Sequence, residues 1–156
     1  MKWLFKQIAL KYISEDKVGM PLAPASEKYR KSGLTPDQAL AIKLRITTAL
    51  EHDKLYRNNE LGLGDLASYI EQDRYKVSEV INTYYAKNFY ALLNSYRIEE
   101  AKLLLVTHPL LSVKAIMYEV GFNSKNSFYL AFKKATGRSP NDFRHIASYE
   151  YQPGIA

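Results

Sequence analysis

A chain of 156 residues has room for one domain plus an extension, and a hydrophobic share of 47% supplies a packed core. It contains no cysteine, which excludes a disulfide framework and any cysteine-based metal or catalytic site, and His52, His108 and His145 show no metal-ligand spacing. A formal charge of +6 leans toward a polyanionic partner.

The N-terminal stretch "MKWLFKQIALKYISEDK" does not read as a targeting segment. Its apolar residues are interrupted by Lys6, Gln7 and Lys11, and no small-residue cleavage site follows. No stretch approaches the roughly 20 apolar residues that span a bilayer, so a soluble cytoplasmic protein is expected. Trp3, Leu4, Phe5, Ile8, Leu10, Tyr12 and Ile13 leave an alternative open. They would then make a short amphipathic helix that docks on a partner or a membrane surface, with RNA polymerase or a second copy of the chain as the expected protein partner. Residues 1–33 are expected to form an arm or linker, since 18–33 are rich in proline and glycine and lack periodicity.

Thr35-Pro36 supplies an N-cap followed by proline at the first helical position, and Asp37 suits the helix dipole. Ala39, Ile42, Ile46, Ala49 and Leu50 repeat at helical spacing and predict a helix to about residue 54, within a segment spanning 34–57. Leu61 to Gly64 reads as a turn, and Leu66, Ala67 and Ile70 as a helix of two turns. A polar break leads into a helix over 74–85. Asn88 caps the longest helix, 89–106, which His108-Pro109 stops. Ser112 caps a short helix over 113–120, ended by Gly121 in the left-handed C-cap conformation. Ser124 caps a helix over 125–136, Gly137 ends it, and Ser139-Pro140 opens the last, short helix. No segment alternates with period two for long enough to be a strand, so the class is all-α.

Two parts of this plan are alike: a short helix, a tight turn and a second helix. In the first unit the second helix buries Val77, Val80, Ile81 and Tyr84; in the other it buries Phe128, Ala131, Phe132 and Ala135. The spacing i, i+3, i+4, i+7 is the same in both, and it defines the opposite face. That face carries Tyr75, Ser78, Glu79 and Asn82 in the first unit and Asn126, Tyr129, Leu130 and Lys133 in the second, with Arg74 and Lys125 at the rim. Two helix-turn-helix units joined by one long helix result. The second helix of such a motif lies in a major groove and offers amide and basic groups to base edges. Helix N-termini capped by Ser112, Ser124 and Ser139 present N–H groups that can hold phosphates. Between Val120 and Asn141 there is no acidic residue, against three lysines and one arginine.

The run "IMYEVGFNSKNSFYLAFKKATGRSPNDFR" closely resembles the signature of AraC/XylS-type transcription regulators. Ile116, Gly121, Phe122, Ser124, Phe128, Phe132, Lys133, Gly137, Ser139, Pro140, Phe143 and Arg144 all fall in place. Upstream, Phe89, Asn94, Arg97 and Ala101 fit the same family, and the resemblance covers roughly residues 60–147. It implies a seven-helix domain, here bounded at 58–147 with a tail over 148–156, that binds double-stranded DNA as one chain. Its two recognition helices would enter successive major grooves about one helical turn, roughly 34 Å, apart. Carried over by position, base contacts would come from Arg74, Tyr75, Ser78, Glu79, Asn82, Lys125, Asn126 and Tyr129. Backbone contacts would come from Ser112, Ser124, Lys133, Lys134 and Arg138, while Arg97 braces the linker helix. Met117, Glu71, Glu79 and Leu130 depart from the family's usual residues. Residues 28–57 resemble the segment that precedes this domain in a subgroup with a membrane or sensor region. A helical protein–protein interaction module, or a separated cytoplasmic portion of a membrane-bound regulator, therefore stands beside the DNA-binding reading. No carboxylate pair, nucleophile–base spacing or phosphate-cradling glycine loop points to an enzyme. Glu99-Glu100 reads as the solvated side of the linker helix, and no cofactor or effector site is visible.

Overall fold

The computed structural model describes residues 33–150; the arm before them and the end of the C-terminal tail, with the readings placed on them, lie outside the described residues. Among the described residues there are seven α-helices and no strand. They are α1 (Pro36–Thr47), α2 (Leu63–Tyr69), α3 (Arg74–Tyr84), α4 (Phe89–Thr107), α5 (Val113–Glu119), α6 (Lys125–Thr136) and α7 (Pro140–Glu150). The all-α architecture is the one expected, and the helix at Pro36 is one of the seven. Two compact units divide the chain within α4, between Tyr96 and Arg97.

The first unit begins as its sequence dictates. Thr35 accepts from Gln38 N while the Gln38 side chain accepts from Thr35 N, a reciprocal cap on a helix opened by proline. α1 does not continue regularly to residue 54. It widens into a π-helical turn over Thr48–His52, and Asp53 N donates to Thr48 O. Ala39, Ile42 and Ile46, with Ala49 and Leu50 of that turn, join one core with Leu66, Ala67, Ile70, Val77, Val80, Ile81, Leu92 and Leu93. Polar bonds fix α1 in the same unit. Arg45 Nη1 donates to Ile70 O at 2.9 Å, satisfying a carbonyl at the end of α2, and Thr47 and Tyr85 share a hydroxyl bond of 2.9 Å. Tyr56 stacks on Tyr96 at 5.9 Å, and the Tyr96 hydroxyl donates to Glu51. Burial is the main cause that raises the Tyr96 phenol well above its ordinary value, with the Glu51 carboxylate adding to it.

The second unit is built on aromatic rings. Phe122 meets Phe128 at 5.2 Å, Phe128 meets Phe132 at 5.7 Å and Phe132 meets Phe143 at 5.5 Å, which joins the turn, α6 and α7 in one row. Ile98, Ala101, Leu105, Ile116, Met117 and Val120 complete that core. Ser139 accepts from Asp142 N and donates to the Asp142 carboxylate, starting α7, which runs to Glu150, past the expected boundary at 147. Two faces differ from the periodicity. Ala135 is exposed, because α6 reaches the end of its packed stretch before that turn. Glu100 is buried at 7%, so it is not on a solvated side; on α4 Glu99 takes that role and holds Lys102 at 2.8 Å.

Candidate nucleic-acid interface

The two units use one backbone device. After α2, Glu71 N donates to Ser68 O and Gln72 N to Ala67 O; after α5, Gly121 N donates to Tyr118 O and Phe122 N to Met117 O. This is the paired C-terminal closure of a helix, and it requires a left-handed residue. Gly121 supplies it at φ 96°, and Glu71 supplies it at φ 54°. The second turn is one residue longer, because Asn123 stands between Phe122 and the cap Ser124, whereas Asp73 follows Gln72 directly. Phe122, at the position that Gln72 holds in the first unit, lies in the core, 4% exposed, with the Arg97 guanidinium 5.4 Å over its ring. Arg97 itself is buried, and burial lowers its pKa.

The caps of the second helices differ in charge. The Asp73 carboxylate accepts from Tyr75 N at 2.9 Å and Lys76 N at 3.1 Å. The neutral Ser124 hydroxyl accepts from Ser127 N at 3.4 Å, and the Ser112 hydroxyl from Ala115 N at 3.0 Å. Both serine oxygens named as backbone contacts are therefore engaged as caps.

On α3, Arg74 and Tyr75 are exposed, Tyr75 at 82%. Ser78 is half-buried. Asn82 is exposed, and its Nδ2 donates to Ser78 O at 2.7 Å, which fixes the amide along its own helix. Glu79, which the helical spacing turns to the outer face, is instead buried at 8%. A helical azimuth counts turns within one helix; exposure also depends on the elements that surround it. On α6, Lys125 and Asn126 are exposed and Tyr129 is half-buried. The Lys125 ammonium sits 5.4 Å over the Tyr129 ring. Leu130 is 71% exposed, and Lys133, Lys134 and Arg138 are exposed. Asn126, Leu130 and Lys133 thus form an outer stripe at i, i+4, i+7.

Lys125 and Tyr129 belong to a different wall. With Val113, Lys114, Met117 and Tyr118 they line a cleft of about 390 Å³. Lys114 and Tyr118 were not among the sequence candidates; their i, i+4 spacing on α5 was the available signal. No cluster of His, Asp or Glu able to hold a metal occurs among the described residues, and no described helix is long and apolar enough to cross a membrane.

A family model described as a helix-turn-helix domain matches residues 66–146. The chain is 28% identical over 100 residues to an uncharacterized HTH-type transcriptional regulator of Staphylococcus aureus (strain COL). That match covers 64% of this chain but only 13% of the regulator's length. The C-terminal domain of AraT, a response regulator from Geobacillus stearothermophilus, superposes with a TM-score of 0.58 at 28% identity, covering 73% of this chain and 88% of that one. The DNA-binding domain of AdpA, a global transcriptional factor solved in complex with a target DNA, shares the fold with a TM-score of 0.62 at 21% identity, covering 72% of this chain and 97% of that one.

Proposed function

The chain belongs to the AraC/XylS-type helix-turn-helix family of transcription regulators, and on that premise we propose that it binds specific sites on double-stranded DNA with α3 and α6 in successive major grooves. The observation that carries this reading is the repetition of one helix–turn–helix backbone in both units, with exposed side chains at the start of the second helix in each. On α6, Asn126 is the residue suited to an adenine edge and Leu130 to a thymine methyl group. On α3, Arg74, Tyr75 and Asn82 are the outward candidates. Lys133, Lys134 and Arg138, with no acid between Val120 and Asn141, supply attraction to the phosphate backbone. Ser112 and Ser124 act through the helix starts that they cap.

Fluorescence anisotropy on genomic fragments across a salt series tests the reading. A preferred site should exceed random duplex by roughly 10³–10⁷ in affinity. Affinity with no preferred fragment and no dependence on salt overturns it. A second reading, a helical interaction module, has Leu40 and Leu44 in its favour, one turn apart on α1 and 52% and 68% exposed. Size-exclusion chromatography of Leu40→Glu and Leu44→Glu variants tests it: an unchanged mass counts against it.

A further inference from the structure

We infer that the cleft between α5 and α6 is a seat for one DNA backbone phosphate, and that Lys125 serves this seat rather than a base edge. The inference rests on the DNA-binding reading and divides the labour within it. The cleft has two ammonium groups, Lys114 and Lys125, two tyrosines, Tyr118 and Tyr129, and no carboxylate in its lining. Its floor is apolar, with Met117 only 3% exposed. Two cations sharing one concave, acid-free site repel each other until an anion lies between them.

The position of Lys125 supports the same assignment. Its ammonium is held 5.4 Å over the Tyr129 ring, and that ring is fixed edge-on to Phe128 at 5.8 Å. This directs the charge along the flank that faces α5 and away from the outer stripe of Asn126, Leu130 and Lys133. Tyr118, 54% exposed on α5, adds a hydroxyl donor at the opposite wall. A phosphate diester suits these groups: it is compact, carries one charge, and accepts from both ammonium and phenol. Base reading on α6 then falls to Asn126 and Leu130.

The test uses the full chain and two duplexes, one random and one carrying the preferred site, in salt titrations followed by fluorescence anisotropy. The double variant Lys114→Gln with Lys125→Gln should bind both duplexes more weakly by the same factor, roughly eightfold at 0.1 M salt, and lose about 0.9 from the slope of log affinity against log salt. Lys114→Gln alone should carry part of that loss. An unchanged slope, or a loss confined to the preferred duplex, overturns the phosphate seat while leaving DNA binding intact. A wild-type chain that binds neither duplex overturns both readings. Inorganic phosphate separates the two sources of the same chemistry. Competition no stronger than its ionic strength explains supports the DNA backbone, whereas displacement at sub-millimolar concentration shows a free-anion site and overturns the assignment. Circular dichroism melting of each variant confirms that it is folded.

Discussion

Glu71 and Gly121 hold the same backbone position in the two units: each is the left-handed residue that closes the first helix, at φ 54° and 96°. Glycine takes this conformation without penalty, whereas an L side chain there costs about 1–2 kcal/mol. Glu71→Gly should therefore stabilise the chain by about 1 kcal/mol, and Gly121→Ala should destabilise it by about as much. Urea unfolding of both variants checks the pair; a loss of stability in Glu71→Gly would mean that its side chain contributes more than its backbone costs.

Phe132 is fully buried between Phe128 and Phe143. Phe132→Ala leaves a cavity in the middle of the aromatic row and should cost about 3–5 kcal/mol. Phe132→Leu retains most of the volume and should cost distinctly less. Chemical denaturation measures both, and equal costs would show that the site collapses freely.

Glu79 is buried, so its substitution should act on stability and not on base preference. Glu79→Ala is expected to lower stability by about 1–3 kcal/mol through the groups that it leaves unmatched. Selection from a randomised duplex library should return the same preferred site as the wild type. A changed base at one position would return Glu79 to the interface.

Asn126 and Lys134 should separate specificity from affinity. Asn126→Ala should cost about 1–3 kcal/mol on the preferred site and relax one base pair. Lys134→Ala should weaken all duplexes alike and lower the salt slope by about 1. Parallel titrations on preferred and random duplexes read both effects; a uniform loss for Asn126→Ala would move it to the phosphate class.

Burial raises the phenols of Tyr85 and Tyr96 above the ordinary tyrosine value, so the folded chain keeps protons that the unfolded chain releases. The stability linked to these groups is complete below the unfolded value near 10 and falls as pH rises above it toward the folded values. Tyr96→Phe should flatten the alkaline fall. Urea midpoints between neutral pH and about pH 11 for wild type and variant measure the difference, and identical pH profiles would contradict the assignment.

Much of the architecture was legible because it rests on local chemistry. Thr35-Pro36, Asn88, Ser112, Ser124 and Ser139-Pro140 mark helix starts that depend on a side-chain oxygen a few atoms from the backbone it caps. The apolar spacing of Val77, Val80 and Ile81, and of Phe128 and Phe132, gives the inward face of each second helix. Gly121 and Gly137 announce their positive φ by being glycine; Glu71 adopts it without such a mark.

Sequence alone determined that this is an all-helical chain of two like units with a helix-turn-helix signature, because caps, breaks and periodicity act over a few residues. Tertiary structure decided which polar residues are available to a partner. Glu79 and Glu100 lie buried where single-helix geometry turned them outward, and the Lys125 ammonium lies over the Tyr129 ring and lines one cleft with Lys114. Exposure belongs to the whole arrangement of neighbouring elements, so a pattern confined to one helix gives the direction of a side chain but not what lies in its way.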